Sequence, residues 1–384
     1  MISFERLSFW EKEIYTKKSD FLIVGAGLVG YSTALSLRAL FPKARITILE
    51  RGYLPSGAST KNAGFACFGS PTELLDDLKS MPEHEVIDIL KMRWEGLQIL
   101  RKRLGDNSID FQQNASFELF RKGEEETFEE SFSQLNQLNS FVANAIGLKN
   151  TFESATSNHF PFNSVIGIIK NNYEGQINTG KMMQKLHQLV VSECINILFD
   201  TTVLSWDETT SEITVDTNHG VLKTKKLLIC TNGLVQNILP DLPVLPARAQ
   251  VLITKQLKNL NWKGTFHYDR GYYYFRNIGN RILLGGGRNL DIKGETTISF
   301  DNTVQIQTAL QQLLEQVISP QEKVEIDYFW SGIMGVGDSK KPLLKAISSN
   351  VYIGVRMGGM GVAMGSKIGE ELAALAGKSF DVVK

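Results

Sequence analysis

Apolar residues run unbroken from Phe21 to Val24, give way to a glycine-rich turn, and resume through Leu28–Leu40 before Pro42. This pattern predicts a buried strand at Asp20–Val24 and a helix at Leu28–Leu40, which must stop near Phe41 because proline disfavours α geometry in the residue before it. Arg45–Glu50 reads as a second strand, completing one βαβ unit with a right-handed crossover. Phe21–Leu40 is apolar enough to suggest a membrane span, but its glycines, with Ser32, Thr33, Ser36 and Arg38, suit a buried strand and helix better.

Further along, Val86, Leu90, Trp94, Leu97 and Leu104 fall on one helical stripe that Gly105 ends. Phe128, Phe132, Leu135, Leu138 and Val142 repeat the stripe in a second helix, with a strand-like SFELF (Ser116–Phe120) between the two. A helix at Lys181–Glu193 leads into strands at Ile195–Phe199, Thr201–Trp206, Glu212–Asp216, Val221–Thr224 and Lys226–Cys230. Residues 248–255, 271–276 and 281–286 alternate as antiparallel strands, Thr303–Val317 reads as a helix, and Val351–Val355 precedes a glycine-rich turn and a helix to about Ala376. The expected class is α/β (α+β overall): a discontinuous Rossmann-like domain (1–83, 151–240 and 331–384) with an inserted antiparallel-sheet substrate domain (84–150 and 241–330).

Composition narrows the partners. Lys+Arg and Asp+Glu both count 41, so nothing draws the chain to nucleic acid or an anionic membrane surface, and a small molecule is the default ligand. Cys67, Cys194 and Cys230 form no CxxC pair, and His84, His159, His187, His219 and His267 are scattered, so neither a disulfide framework nor a metal site is expected. The first twenty residues are charged throughout and lack the apolar core of a secretory signal, which suggests a cytoplasmic location.

Gly25, Gly27 and Gly30 form GxGxxG between the first strand and its helix. The first glycine permits the tight turn, the second lets the backbone approach a pyrophosphate, and the third lets helix and strand pack closely. Glu50 stands 20 residues past the last of them, where an acid accepts hydrogen bonds from ribose hydroxyls and disfavours a 2′-phosphate. Gly285-Gly286-Gly287 follows a strand, but no amphipathic helix succeeds it, so there is one dinucleotide fingerprint and no NAD(P)H site is expected.

After that unit, Glu50-Arg51, Gly57-Ala58-Ser59 and Asn62-Ala63-Gly64 strongly resemble the FAD-contacting segment of the D-amino acid oxidase, glycine oxidase and sarcosine oxidase superfamily. Thr201–Val203 is similar to its adenine-contacting strand, Thr231-Asn232-Gly233 to its strand-ending turn, and Val351–Ala373 to its second glycine-rich segment. The resemblance implies a cofactor site built from Gly25, Ala26, Gly27, Val29, Gly30, Glu50, Arg51, Ser59, Lys61, Asn62, Ala63, Gly64, Val203, Thr231, Gly233, Gly359, Met360 and Gly361. It implies FAD, held non-covalently because residues 330–342 lack the Cys or His that links flavin in some relatives.

The implied activity is oxidation of a small amine or amino acid, with hydride passing from the α carbon to flavin N5 and the resulting imine hydrolysing. Oxidation of a 2-hydroxy acid, or a flavin-binding subunit without turnover, are the alternatives; action on modified RNA sits poorly with zero net charge. The electron acceptor, O2 or another, stays open. Strand alternation places Tyr272, Tyr274 and Arg276 on one face, which the resemblance sets over the flavin as candidate catalytic residues. The family's carboxylate-binding Arg is missing after Trp330-Ser331-Gly332. Ala363 and Gly285 stand where sarcosine oxidases carry a carboxylate-binding and an oxygen-activating Lys, leaving Arg276 or Arg356 as substitutes for the clamp.

Overall fold

The computed structural model describes residues 3–156, 160–319, 323–378 and 380; Met1, Ile2 and His159 lie outside them. Among the described residues the first sheet runs in the order Leu343–Ala346, Val351–Val355, Gly220–Ile229, Ser19–Val24, Ile46–Leu49 and Asn196–Leu198, with a hairpin of Val203–Glu208 and Ile213–Thr217 added through Gly220–Ile229. Ser19–Val24 pairs in parallel with Gly220–Ile229 on one side and Ile46–Leu49 on the other. Both faces of these strands are covered, which is why they read as continuous apolar runs. Phe21, Ile23, Ile46, Ile48 and Leu228 join the core beneath the helices, while Leu22, Val24, Leu49, Leu227 and Ile229 join the core beneath the hairpin.

The first helix spans Leu28–Leu40 as expected and closes with the Phe41 N–H donating to the Leu37 carbonyl, one residue before Pro42. Helix Gly361–Gly377 lies against it and against helix Glu83–Leu104 at glycine contacts. A side chain begun on Gly369 would meet Ser32 at 2.5 Å, and one on Gly96 would meet the Ala363 carbonyl at 2.3 Å. Only glycine permits that approach, and it fixes the amino end of Gly361–Gly377 over the first sheet.

The second sheet runs Ile326–Val336, Leu245–Thr254, Arg281–Gly286, Tyr273–Ile278, Thr265–Tyr268, Ser116–Arg121, Val165–Asn171 and Phe152–Ala155. All pairs are antiparallel except Thr265–Tyr268 with Ser116–Arg121. Several features differ from expectation. Phe152–Ala155 and Val165–Asn171 pair in this sheet, although residues 151–240 were expected with the cofactor domain. Leu97, Leu100 and Leu104, from the segment expected in the substrate domain, enter the core of the first sheet.

The stripe Phe128–Val142 divides into Glu125–Ser133 and Leu135–Ile146 at Gln134, whose φ −92° and ψ 0° re-aim the second half. Val221–Thr224 and Lys226–Cys230 form one strand, Gly220–Ile229, running through Lys225, whose amino group pairs with Asp20 Oδ1 at 2.8 Å. No helix among the described residues is long and apolar enough to cross a membrane.

Candidate active site

The glycine turn has the geometry its sequence requires. Gly25 sits at φ +104°, a conformation that side chains strongly disfavour, and a Cβ on Gly30 would stand 1.9 Å from the Gly25 carbonyl. Glu50 is buried at the carboxyl end of Ile46–Leu49; its two oxygens accept the Ala26 and Gly52 N–H groups, each at 3.0 Å. Each oxygen keeps lone-pair capacity for a further donor. Ser59 Oγ accepts the Leu28 N–H at the start of the helix, at 2.9 Å.

Three side chains bring the remaining segments to this turn. Asn62 folds its own loop, donating to Ala58 and Ser59 carbonyls and accepting from the Gly64 N–H (2.8 Å) and Thr179 Oγ1 (2.9 Å). Trp330 Nε1 donates to the Lys61 carbonyl at 2.9 Å, tying that loop to the second sheet. Asn232 Oδ1 accepts the Arg356 and Met357 N–H groups at 3.0 and 3.2 Å, which anchors the second glycine-rich segment, with Gly358 and Gly359 both at positive φ.

These elements surround a cavity of about 560 Å³. Of the expected cofactor residues, Gly25, Gly27, Val29, Glu50, Arg51, Ser59, Lys61, Asn62, Ala63, Gly64, Val203, Thr231, Gly359, Met360 and Gly361 line it. Ala26, Gly30 and Gly233 stand behind that lining. Gly233 is there because a Cβ would lie 2.2 Å from the Met334 carbonyl. The Thr231 hydroxyl is buried at the wall without a hydrogen-bond partner among the described residues.

At the other end the cavity meets the second sheet. Tyr274 lines it and Tyr272 borders it, but the strand begins at Tyr273 and Tyr272 belongs to a turn in which Asp269, Arg270 and Gly271 all have positive φ. Tyr274 lies across from Gly285, which leaves room for the phenol ring, and burial pushes that phenol up to about 12. Neither expected clamp faces the cavity. Arg276 is buried behind Gly64, and the Arg356 guanidinium is taken by the Lys341 and Pro243 carbonyls.

The wall instead carries Phe65, His267, Arg270, Arg288, Glu73 and Lys340. Phe65 packs edge-on against both His267 and Tyr274, at 5.2 and 5.6 Å between centroids. Burial pushes the His267 imidazole down to about 4, so it is neutral at pH 7. Glu73 is pushed up by burial, but Arg93 and Lys340 outweigh this and hold it at about 2. Lys340 is bound to Glu73 and Asp77, and Arg270 lies 3.7 Å from Asp76. The Arg288 side chain has no hydrogen-bond or ion-pair partner among the described residues.

Sequence reading missed these residues because Thr265–Tyr268, which carries His267, was not read as a strand, and because nothing local marks Arg288. Folding also brings the ligating atoms of His267, Cys67 and Glu174 within 4.8 Å of one another. The Glu174 oxygens there accept from the Phe68 and Gly69 N–H groups and the Ser116 hydroxyl.

A helix amino end, an acid at the end of the second strand, an unpartnered threonine hydroxyl and a second glycine-rich helix start together fit a dinucleotide whose redox ring reaches the second sheet. Fold and site therefore define a flavoprotein oxidoreductase. Residues 20–375 match the family model of the FAD dependent oxidoreductases (DAO), and the chain belongs to that family; its cofactor is FAD. Among solved structures it is similar to L-proline dehydrogenase from P. horikoshii (TM-score 0.75, 18% identity, 95% of each chain covered). It is also similar to iminodiacetate oxidase from Chelativorans (TM-score 0.75, 18% identity, 94% of this chain and 96% of that one). A probable oxidoreductase, OrdL, of Haemophilus influenzae is 21% identical over 377 residues, covering 92% of this chain and 82% of that protein.

Proposed function

We propose that this FAD-dependent oxidoreductase oxidises a small amine or amino acid that carries a carboxylate. The observation that carries the reading is the wall facing the dinucleotide end: Phe65, Tyr274 and neutral His267 beside Arg288, a guanidinium with no partner among the described residues. The named activities of structurally similar proteins, L-proline dehydrogenase and iminodiacetate oxidase among them, support an amine-bearing acid.

Each group has a part in this reading. Arg288 offers a planar fork that binds a carboxylate bidentately. The aromatic wall excludes water, which disfavours the substrate ammonium and favours the neutral amine. Tyr272 closes the wall from its turn, and the Tyr274 hydroxyl, kept protonated, can donate to the bound substrate. Gly25, Gly27, Glu50, Asn62–Gly64, Thr231 and Gly359–Gly361 would hold FAD non-covalently. The chemistry FAD supplies when bound is acceptance of a hydride from the substrate α carbon, leaving an imine that hydrolyses.

The test is anaerobic bleaching of the flavin, monitored by stopped flow, against a panel of amines, amino acids and 2-hydroxy acids. Amino acids or N-substituted amino acids should bleach it fastest. Arg288→Met should lose about 1.5–3 kcal/mol of substrate binding, seen as a raised half-saturation concentration, while FAD content is retained. Fast bleaching by 2-hydroxy acids alone would replace the amine reading. An unchanged Arg288→Met would remove the carboxylate.

A further inference from the structure

Arg276 is buried, and among the described residues no acid lies within ion-pair distance of it. It is 6% exposed, its Nε is enclosed without an acceptor, and among the described residues nothing hydrogen-bonds or ion-pairs with its guanidinium. Its Nη2 stands 2.8 Å from the point where a side chain on Gly64 would begin. Gly64 itself is a wall residue of the cavity, so one stretch of glycine backbone separates the cation from the cavity. The Asp110 charge favours its protonated form from beyond ion-pair distance; burial keeps Cys67 a neutral thiol and lowers Arg276 only to about 10, leaving it positive at neutral pH.

A buried charge with no counter-ion in direct contact is costly, so its position matters. The cavity wall carries Glu50 and the glycine turn, Ala63 and Gly64, and Tyr274 and His267, and Ala63 packs in one cluster with Phe65 and Tyr274. A cofactor with its ribose at Glu50 and its redox ring against a substrate at Tyr274 brings that ring to this stretch. FAD that takes up two electrons and one proton gains one negative charge. A fixed cation in a low-dielectric wall favours the reduced form over the oxidised one.

We propose that Arg276, acting through the Gly64 wall, raises the two-electron reduction potential of bound FAD. This makes it a positioning charge that touches neither substrate nor cofactor, and the proposal rests on the FAD reading above. The test compares FAD-loaded wild type, Arg276→Met, Arg276→Gln and Arg276→Lys by dye-equilibrated potential measurement and by the affinity of the flavin for sulfite. Both neutral variants should lower the potential by about 30 mV or more, a tenfold change in the equilibrium constant of a two-electron couple, and weaken sulfite binding in parallel. Lys should restore most of the loss.

A role confined to packing would change melting temperature or FAD affinity and leave the potential alone. If Arg276→Met fails to fold, Arg276→Gln, shorter but polar and uncharged, gives the same comparison. A wild-type potential in either neutral variant overturns the proposal, whereas wild-type protein that takes up no FAD would refute the reading beneath it.

Discussion

Replacing Glu50 with Gln keeps the side chain's size and removes its charge. In the structure each carboxylate oxygen accepts one backbone N–H at 3.0 Å, from Ala26 and from Gly52. The amide of Gln has a single oxygen, so one of these N–H groups would face an NH2 donor and the other would keep only a neutral acceptor. The same loss of acceptor capacity falls on the ribose hydroxyls that the cavity-facing lone pairs are placed to take. Losing one charge-assisted hydrogen bond costs about 1.5–3 kcal/mol, which at 1.4 kcal/mol per decade weakens FAD binding roughly tenfold to a hundredfold. Glu50→Ala removes both acceptors and should weaken it at least as much. The assay is titration of apoprotein with FAD, followed by quenching of flavin fluorescence at fixed salt. The apoprotein melting temperature should fall too, since the glycine turn loses its tie to the second strand. A lowered melting temperature with an unchanged FAD dissociation constant would refute the reasoning, because Glu50 would then serve the turn alone.

Two further outcomes follow from burial. Gly96→Ala would set a methyl 2.3 Å from the Ala363 carbonyl, an overpacking that costs about 1–3 kcal/mol; thermal melts should show the loss, and an unchanged melting temperature would mean the two helices separate freely. Burial raises the Glu118 carboxyl from 4.5 to about 7, so the folded state binds its proton more tightly than the unfolded one. Its stabilising contribution is full below pH 4.5 and is lost as pH rises to about 7, amounting to about 3 kcal/mol at 1.36 kcal/mol per pH unit. Relative to wild type, Glu118→Gln should therefore gain stability across that window in urea unfolding at stepped pH, and parallel curves would refute the shift.

The cofactor half of the molecule was legible because its chemistry is written in local backbone demands. The glycines at 25, 27 and 30, the acid at 50 and the proline at 42 act within one βαβ unit, and the helix Leu28–Leu40 follows from them. The substrate half was less legible because its residues converge from distant segments. His267 lies on a strand paired with Tyr273–Ile278 and with Ser116–Arg121, and Arg288 enters from a single turn after Gly287. Alternation put Tyr274 and Arg276 on one face but gave no depth, and depth separates a residue lining the cavity from one lodged behind Gly64. Close helix–helix approach such as Gly96 against Ala363 leaves no trace in hydrophobic spacing, since glycine is silent in it.

The pairing of Tyr274 with Gly285 constrains how this scaffold can be re-engineered. The resemblance aligns Gly285 with a lysine that activates oxygen in sarcosine oxidases, yet here a side chain begun at that position would lie 2.6 Å from the Tyr274 ring. The two positions therefore form one steric unit, holding either a ring from one strand or a long side chain from the other. Introducing lysine alone should collide with the phenol, whereas exchanging both residues together would make room for the long side chain, a combination that screening single substitutions would never find.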